Sequence, residues 1–234
     1  MKRSLLLPTA ALVLTLSAFS NAAEPNTITP EEKAAGWQLL FDGNSIDGWV
    51  GLGTTSFPAA GWSVKEGSLH HEKGGGDIVT AKNYLNFELI WDWKISEVGN
   101  SGVKYNLPNP AKGVGFEYQM LDDARHADAS RGLSHQTAAL YDLIDPAADR
   151  KTKPAGEWNT SRLLVKGAHV EQWLNGSLAL TFEIGSPEMQ ERIAKSKYAK
   201  VKDFGVKIAS PILLQDHGDV VDFRSMKLRE LGEK

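Results

Sequence analysis

The 234-residue chain contains no cysteine, which excludes both a disulfide-stapled scaffold and a lipid-anchored lipoprotein. It lacks a basic excess as well. Its 26 Lys and Arg face 29 Asp and Glu, a net charge of −3, unlike the footprint of a nucleic-acid binder. Internal repeats and low-complexity stretches are absent. Long apolar runs are limited to one, from Ser4 to Phe19, which is short for a membrane span and contains Pro8. It follows Met1-Lys2-Arg3 and precedes small residues at Ser20, Ala22 and Ala23. A basic start, an apolar centre and an A-x-A-like end make a secretory signal over residues 1–22, cleaved near Ala23 or Glu24. A periplasmic or secreted bacterial protein is expected, with one domain over residues 23–234. Losing Lys2 and Arg3 with the leader takes the net charge from −3 to −5, the mildly acidic surface of a soluble protein.

What is present is mostly β pattern. Thr29-Pro30-Glu31-Glu32 predicts a short capped helix, with Thr as N-cap, Pro at the first position and Glu closing a capping box. Strands are expected at Gln38–Phe41, Trp62–Lys65, Ser68–His71, Phe87–Ile95, Gly102–Tyr105, Gly115–Leu121, Ala138–Ile144, Asn159–Lys166, His169–Leu174, Leu178–Ile184, Ile212–Gln215 and Asp219–Leu228. Asn175-Gly176 is a two-residue hairpin signal. Ser186-Pro187 opens the one convincing helix, expected over Pro187–Lys200. About a dozen short strands in a chain of this length predict an all-β jelly-roll sandwich with one concave face and one or two short helices.

Within this pattern the strand Phe116-Glu117-Tyr118-Gln119-Met120-Leu121-Asp122 is the most informative. Period-2 alternation puts Phe116, Tyr118 and Met120 on one apolar face and Glu117 and Gln119 on the other. A bulge near the strand end would bring Asp122 onto the polar face too. Burying such a row is costly without partners, so a concave face meeting a polar ligand is expected.

Seven segments then occur in series: Leu40-Phe41-Asp42-Gly43-Asn44-Ser45-Ile46-Asp47-Gly48-Trp49, Asn100-Ser101-Gly102-Val103, Glu117-Tyr118-Gln119, Ala139-Leu140-Tyr141-Asp142, Lys153 through Asn159, Trp173-Leu174-Asn175-Gly176, and Leu214-Gln215-Asp216-His217-Gly218 followed by Phe223-Arg224. In that order and spacing the chain resembles the 3-keto-disaccharide hydrolase domain family, from about Gly36 to about Arg229. The resemblance implies a concanavalin-like jelly roll acting on glycosides already oxidised at C3 by a separate sugar 3-dehydrogenase. A C3 ketone acidifies the C2 hydrogen, so a base can form an enolate that expels the C1 substituent. Water then adds to the enone, unless the reaction stops there as a lyase.

On that reading Glu117 is the first candidate for a site carboxylate, and His217, in a loop after a strand, for an acid or base near neutral pH. Asp122 is the third catalytic candidate. Arg131, in the polar loop from Asp122 to Gln136, is expected to hold the enolate. Gln119, Gln215, Tyr141, Lys104, His135, Glu157 and Trp158 are candidates for binding the sugar. Lys104 stands where the family pattern more often has an apolar or aromatic residue, and His126 and His135 taken singly are expected to face solvent. Glu117, Asp122 and His217 could hold a divalent ion, although no His-x-His spacing requires one, and no cofactor is demanded. Trp91 and Trp93 read as packing, Asp42 and Asp47 as turn-formers, and His70-His71 as neighbours on opposite faces.

Two other classes compete. Retaining β-glucanases on such folds resemble Glu-x-Asp-x-x-Glu on one strand. Here those positions hold Glu117, Gln119 and Asp122, departing at two of three. A non-catalytic carbohydrate-binding module would need only the sandwich, the tryptophans and secretion.

Overall fold

The computed structural model describes residues 24–232, and the expected leader lies outside them. Among the described residues there are thirteen strands: β1 (Gln38–Leu39), β2 (Trp49–Gly51), β3 (Trp62–Lys65), β4 (Ser68–His71), β5 (Ile78–Thr80), β6 (Phe87–Ile95), β7 (Asn100–Asn109), β8 (Val114–Leu121), β9 (Asn159–Lys166), β10 (His169–Leu174), β11 (Ser177–Glu183), β12 (Leu213–Leu214) and β13 (Val221–Glu230). Helix α1 is Pro30–Ala34 and α2 is Pro187–Lys195. The strands form two antiparallel sheets. The larger runs β11-β10-β9-β6-β13-β4-β3, with β1 also on β13, and the smaller runs β2-β5-β12-β7-β8. Both pack around one core, as expected of a jelly-roll sandwich.

Alternation builds that core. Phe87, Leu89, Trp91, Trp93 and Ile95 of β6 are buried against Phe116, Tyr118 and Met120 of β8 and their neighbours. Trp91 meets Tyr118 edge-on at 5.0 Å. Aromatic rings of this size each bury about 150–250 Å², worth ~4–6 kcal/mol before chain entropy is counted. The few polar groups between the sheets are partnered: Trp93 Nε1 donates to Ser161 Oγ, Ser161 Oγ to the Tyr118 hydroxyl, and that hydroxyl to the Trp173 carbonyl. Asn175 and Gly176, at φ 48° and 81°, close the β10–β11 hairpin, as two left-handed turn positions require. Asp42 accepts the amides of Asn44 and Ser45 in its turn.

Three expectations change. Ala138–Ile144 is not a strand, because Ala138 and Asp142 adopt φ 65° and 62° and fold the segment into turns. It nevertheless docks on the edge of β8, through Gln119 N–H to Ala139, Ala138 N–H to Gln119 and Tyr141 N–H to Glu117. Helix α2 stops at Lys195 rather than Lys200. There Ser196 turns extended, donates its hydroxyl to Ile193 O and accepts the Tyr198 amide, the local competition by which serine ends helices. From Phe116 to Leu121 the pairing of β8 with β7 keeps an unbroken register, its irregularity lying at the other end between Tyr105 and Asn109, so no bulge turns Asp122 onto the Glu117 face.

Candidate active site

The outward face of the smaller sheet carries three rows of side chains across β12, β7 and β8. Leu213, Lys104 and Glu117 are paired in the first row. Gly102 faces Gln119 in the second, where Gln215 N–H also bonds the Gly102 carbonyl. In the third, Asn100 stands opposite Leu121 and its amide nitrogen lies 3.4 Å from His217 Nε2. Residues two apart on a strand are about 7 Å apart, and neighbouring strands about 4.8 Å. The three rows therefore span a length suited to one sugar ring and its substituent.

Glu117 occupies the floor of this site, with 6% of its surface exposed. Its carboxylate has no hydrogen bond from the described residues, and its nearest cation is Lys104, with Nζ 3.9 Å from Oε2. Gly102 makes room for it: a Cβ there would lie 2.8 Å from Glu117 Oε1. The glycine is required by close approach, and it lets the carboxylate lean toward the middle row. Burial pushes the Glu117 carboxyl above its ordinary value, against the opposing pull of Lys104, Lys197 and His217 and with the help of Asp77. A carboxylate held uncomfortable in its charged form, in reach of cations, is what a general base near neutral pH needs.

Beside it Gln119 is 1% exposed, and neither its amide oxygen nor its nitrogen has a partner among the described residues. Gln215 Oε1 and Asn100 Oδ1 are likewise unpartnered. Buried polar atoms normally find partners within the protein. Their concentration on one face, in three adjoining rows, marks where a hydroxyl-rich ligand would complete them.

His217 lies at the far end of the rows. Its Nδ1 is 3.7 Å from Asp219, and its ring meets that of His126 edge-on at 6.0 Å. His126, His217 and Asp219 bring one ligand atom each within 4.8 Å of one another. As a metal shell the trio is incomplete, because His126 Nδ1 accepts the Asp128 amide. That bond leaves the proton on Nε2, whereas a ligating imidazole donates through its other nitrogen. The three groups form a polar end to the site.

Asp122 does not join them. Its carboxylate accepts the amides of Val98 and Ala124 and pairs with Arg125 at 3.3 Å, so it ties two loops together instead of joining the row that Glu117 and Gln119 share. Arg131 is engaged too: it donates to Asp128 at 2.8 Å, and Asp128 also accepts the Tyr141 hydroxyl at 2.7 Å. Its charge is committed to Asp128, with a longer contact to the Tyr141 hydroxyl. His135 is buried, not solvent-facing, with its ring 5.0 Å from that of Tyr141 and Nε2 3.3 Å from Asp142. It braces Tyr141 from behind. Glu157 is exposed and makes no ion pair among the described residues, and Trp158 lies under Arg224 and Lys94 on the outer face of the larger sheet, apart from this site. His70 and His71 point apart as expected, to Asp222 and to Asp216.

Sequence reasoning missed Lys197, whose ammonium lies 3.9 Å from the Tyr141 ring centroid, and Asp77, whose carboxylate accepts the Asp216 amide. Asn100 was visible inside Asn-Ser-Gly-Val. Lys197 had no local signal, since it was placed within a helix that in fact ends before it.

Known proteins share the sequence pattern and the fold. The family model described as 3-keto-alpha-glucoside-1,2-lyase-like domain matches residues 36–229. A relative named 3-keto-disaccharide hydrolase, from Bacteroides thetaiotaomicron, is 30% identical, covering 90% of this chain and 83% of that protein. A provisionally named glycosyl hydrolase from Parabacteroides distasonis ATCC 8503 superposes with a TM-score of 0.81 at 35% identity, over 89% of this chain and all of the other. A second such crystal structure from that organism gives 0.68 at 26% identity, over 83% and 99% of the two chains. The fold and site define a carbohydrate-active, glycosidase-type enzyme. The chain belongs to the 3-keto-alpha-glucoside-1,2-lyase-like domain family.

Proposed function

We propose that the protein cleaves 3-keto-glycosides by elimination, using Glu117 as the base. The observation that carries this is the Glu117 carboxylate itself: buried, without a hydrogen bond from the described residues, raised in pKa and bordered by Lys104 and the similarly unpartnered Gln119 amide. Glu117 removes the proton from C2, and the C–H electron pair moves toward the C3 oxygen. The enolate re-forms the ketone as C1=C2 forms and the C1–O bond breaks, and the leaving oxygen takes a proton from the His217 end. Water adding across the enone gives the hydrolase outcome; release before that step gives the lyase outcome. A displacement at C1 is less well served, because a retaining pair needs a second carboxyl about 5–5.5 Å from the first. Along β8 the next residue on that face is Gln119, and Asp122 is turned away.

The reaction implies a supplier, an enzyme oxidising the C3 hydroxyl of the same glycoside. The basic start and apolar run of residues 1–22 support export as the setting, and N-terminal sequencing of cell fractions checks it. Intact, uncleaved chain in the cytosol would remove that part.

The deciding experiment compares a 3-keto-glucoside with its parent glucoside in heavy water. The ketone should lose its C1 substituent, the parent should persist, and the hydrated sugar should carry deuterium at C2 beyond non-enzymatic exchange. Cleavage of unoxidised glucan, with Glu117 covalently glycosylated, would overturn the reading.

A further inference from the structure

Three cations border the site, and they differ in what holds them. Lys104 lies 3.9 Å from Glu117 and within the field of Asp77. Arg131 is fixed on Asp128. Lys197 is different: among the described residues no carboxylate lies within 4.0 Å of its ammonium, and no acceptor takes a hydrogen bond from it. The residue as a whole is exposed, yet its ammonium folds over the ring of Tyr141 at 3.9 Å and lies 5.0 Å from that of Tyr198. Surrounding groups desolvate it and pull its pKa down, against the fields of Glu117 and Asp142.

Its position is built, not incidental. Ser196 ends α2 one residue earlier, and the Lys197 amide bonds Asp142 at 2.9 Å. Tyr141, beneath the ammonium, is anchored by its own amide to the Glu117 carbonyl. The Tyr141 hydroxyl donates to Asp128, which enriches the ring facing the cation. The ammonium is thus tethered to the strand that bears the base, with no N–H of it donated to an oxygen or nitrogen acceptor among the described residues.

We propose that Lys197 is the oxyanion-holding catalytic residue, its ammonium donating to the C3 oxygen of a bound 3-keto sugar as Glu117 takes the C2 proton. This rests on the elimination reading above. The C2–H bond breaks, an O–H bond forms on Glu117, and the charge arriving at the C3 oxygen meets a cation already in place. A prepositioned charge of this kind strengthens its contact only as the oxyanion forms, so it acts on kcat.

The test is Lys197→Met, which keeps the stem and removes the charge, against wild type and Lys197→Arg on a nitrophenyl 3-keto-glucoside. For Lys197→Met, kcat should fall about 10²–10³-fold, with KM within about threefold of wild type. Lys197→Arg should recover part of the loss. The carbonyl stretch of bound ¹³C3-labelled ketone should lie at higher frequency in Lys197→Met, a shift that a loss of packing alone does not produce. Unchanged kcat, a loss confined to KM or an unmoved carbonyl band overturns the proposal. So does a borohydride-trapped adduct on Lys197, which would make it a covalent participant. A wild-type protein inert toward the ketone removes the elimination reading itself, and this role with it. An active wild type with an equally active Lys197→Met removes this role alone.

Discussion

The outward faces of the two sheets carry similar residue types and treat them oppositely. On the larger sheet Glu88 lies between Arg162 and Arg229, at 2.5 and 2.6 Å. Arg162 also reaches Glu171, and Asp222 pairs with both His70 and Lys94. On the smaller sheet, among the described residues, Gln119 has no partner for either amide atom, the amide oxygens of Gln215 and Asn100 have none, and the Glu117 carboxylate makes no hydrogen bond. Polar groups satisfied by one another maintain the sheet. Polar groups left open keep their hydrogen-bonding capacity for something else. Burying them unsatisfied costs stability, and a functional site is the usual reason for tolerating that cost.

The comparison breaks first at Glu117. Glu117→Gln should lose about 10²–10⁴-fold in kcat while the thermal midpoint at neutral pH holds or rises. The sign follows from the raised carboxyl. Burial makes ionised Glu117 a destabilising group in the folded protein, absent below the ordinary value of about 4.3 and growing as pH climbs through the raised one. The stability advantage of the variant should therefore vanish in acid. In wild type the acid limb of kcat/KM should lie above about 4.3.

Gly102→Ala comes next. A methyl 2.8 Å from Glu117 Oε1 must displace the carboxylate, and a misplacement near 1 Å costs roughly 10²-fold. We expect that order of loss in kcat with a modest loss of stability. An unaffected rate would show that the lean of Glu117 over Gly102 is unimportant.

Gln119→Leu sharpens the contrast from the binding side. KM should rise about tenfold, and stability should not fall, because removing an unpartnered buried amide orphans nothing. A destabilised Gln119→Leu would mean that the amide serves the fold after all. Glu88→Ala is the mirror case on the larger sheet. It should lower stability by about 1–2 kcal/mol and leave turnover unchanged, as measured by denaturant unfolding and initial rates.

Most of the fold was legible because alternation is a local signal. The core and polar faces of β6 and β8 follow directly from side chains that alternate across a strand. The two short strands β2 and β5 were missed, being three residues each and too brief to establish a period. Glu117 and Gln119 could be read from the same alternation. Asp122 misled because it follows the strand, where the alternation no longer applies and backbone amides of a turn claim the carboxylate. Trp158 misled because a tryptophan's chemistry says nothing about which sheet it covers. Lys197 was invisible because its role depends on where α2 stops, and that depends on one serine hydroxyl.

The vacant side-chain position at Gly102 also limits how this protein can diverge. Positions 102 and 117 are diagonal neighbours on adjoining strands, and the space above one holds the functional group of the other. They cannot drift independently. An alanine at 102 becomes tolerable only in company with a shorter acid at 117, and Glu117→Asp alone would leave its carboxylate short of the middle row. Descendants of this chain are therefore expected to keep the pair or exchange it together. The pair offers a double-mutant cycle in which Gly102→Ala with Glu117→Asp loses less activity than the two single changes multiplied.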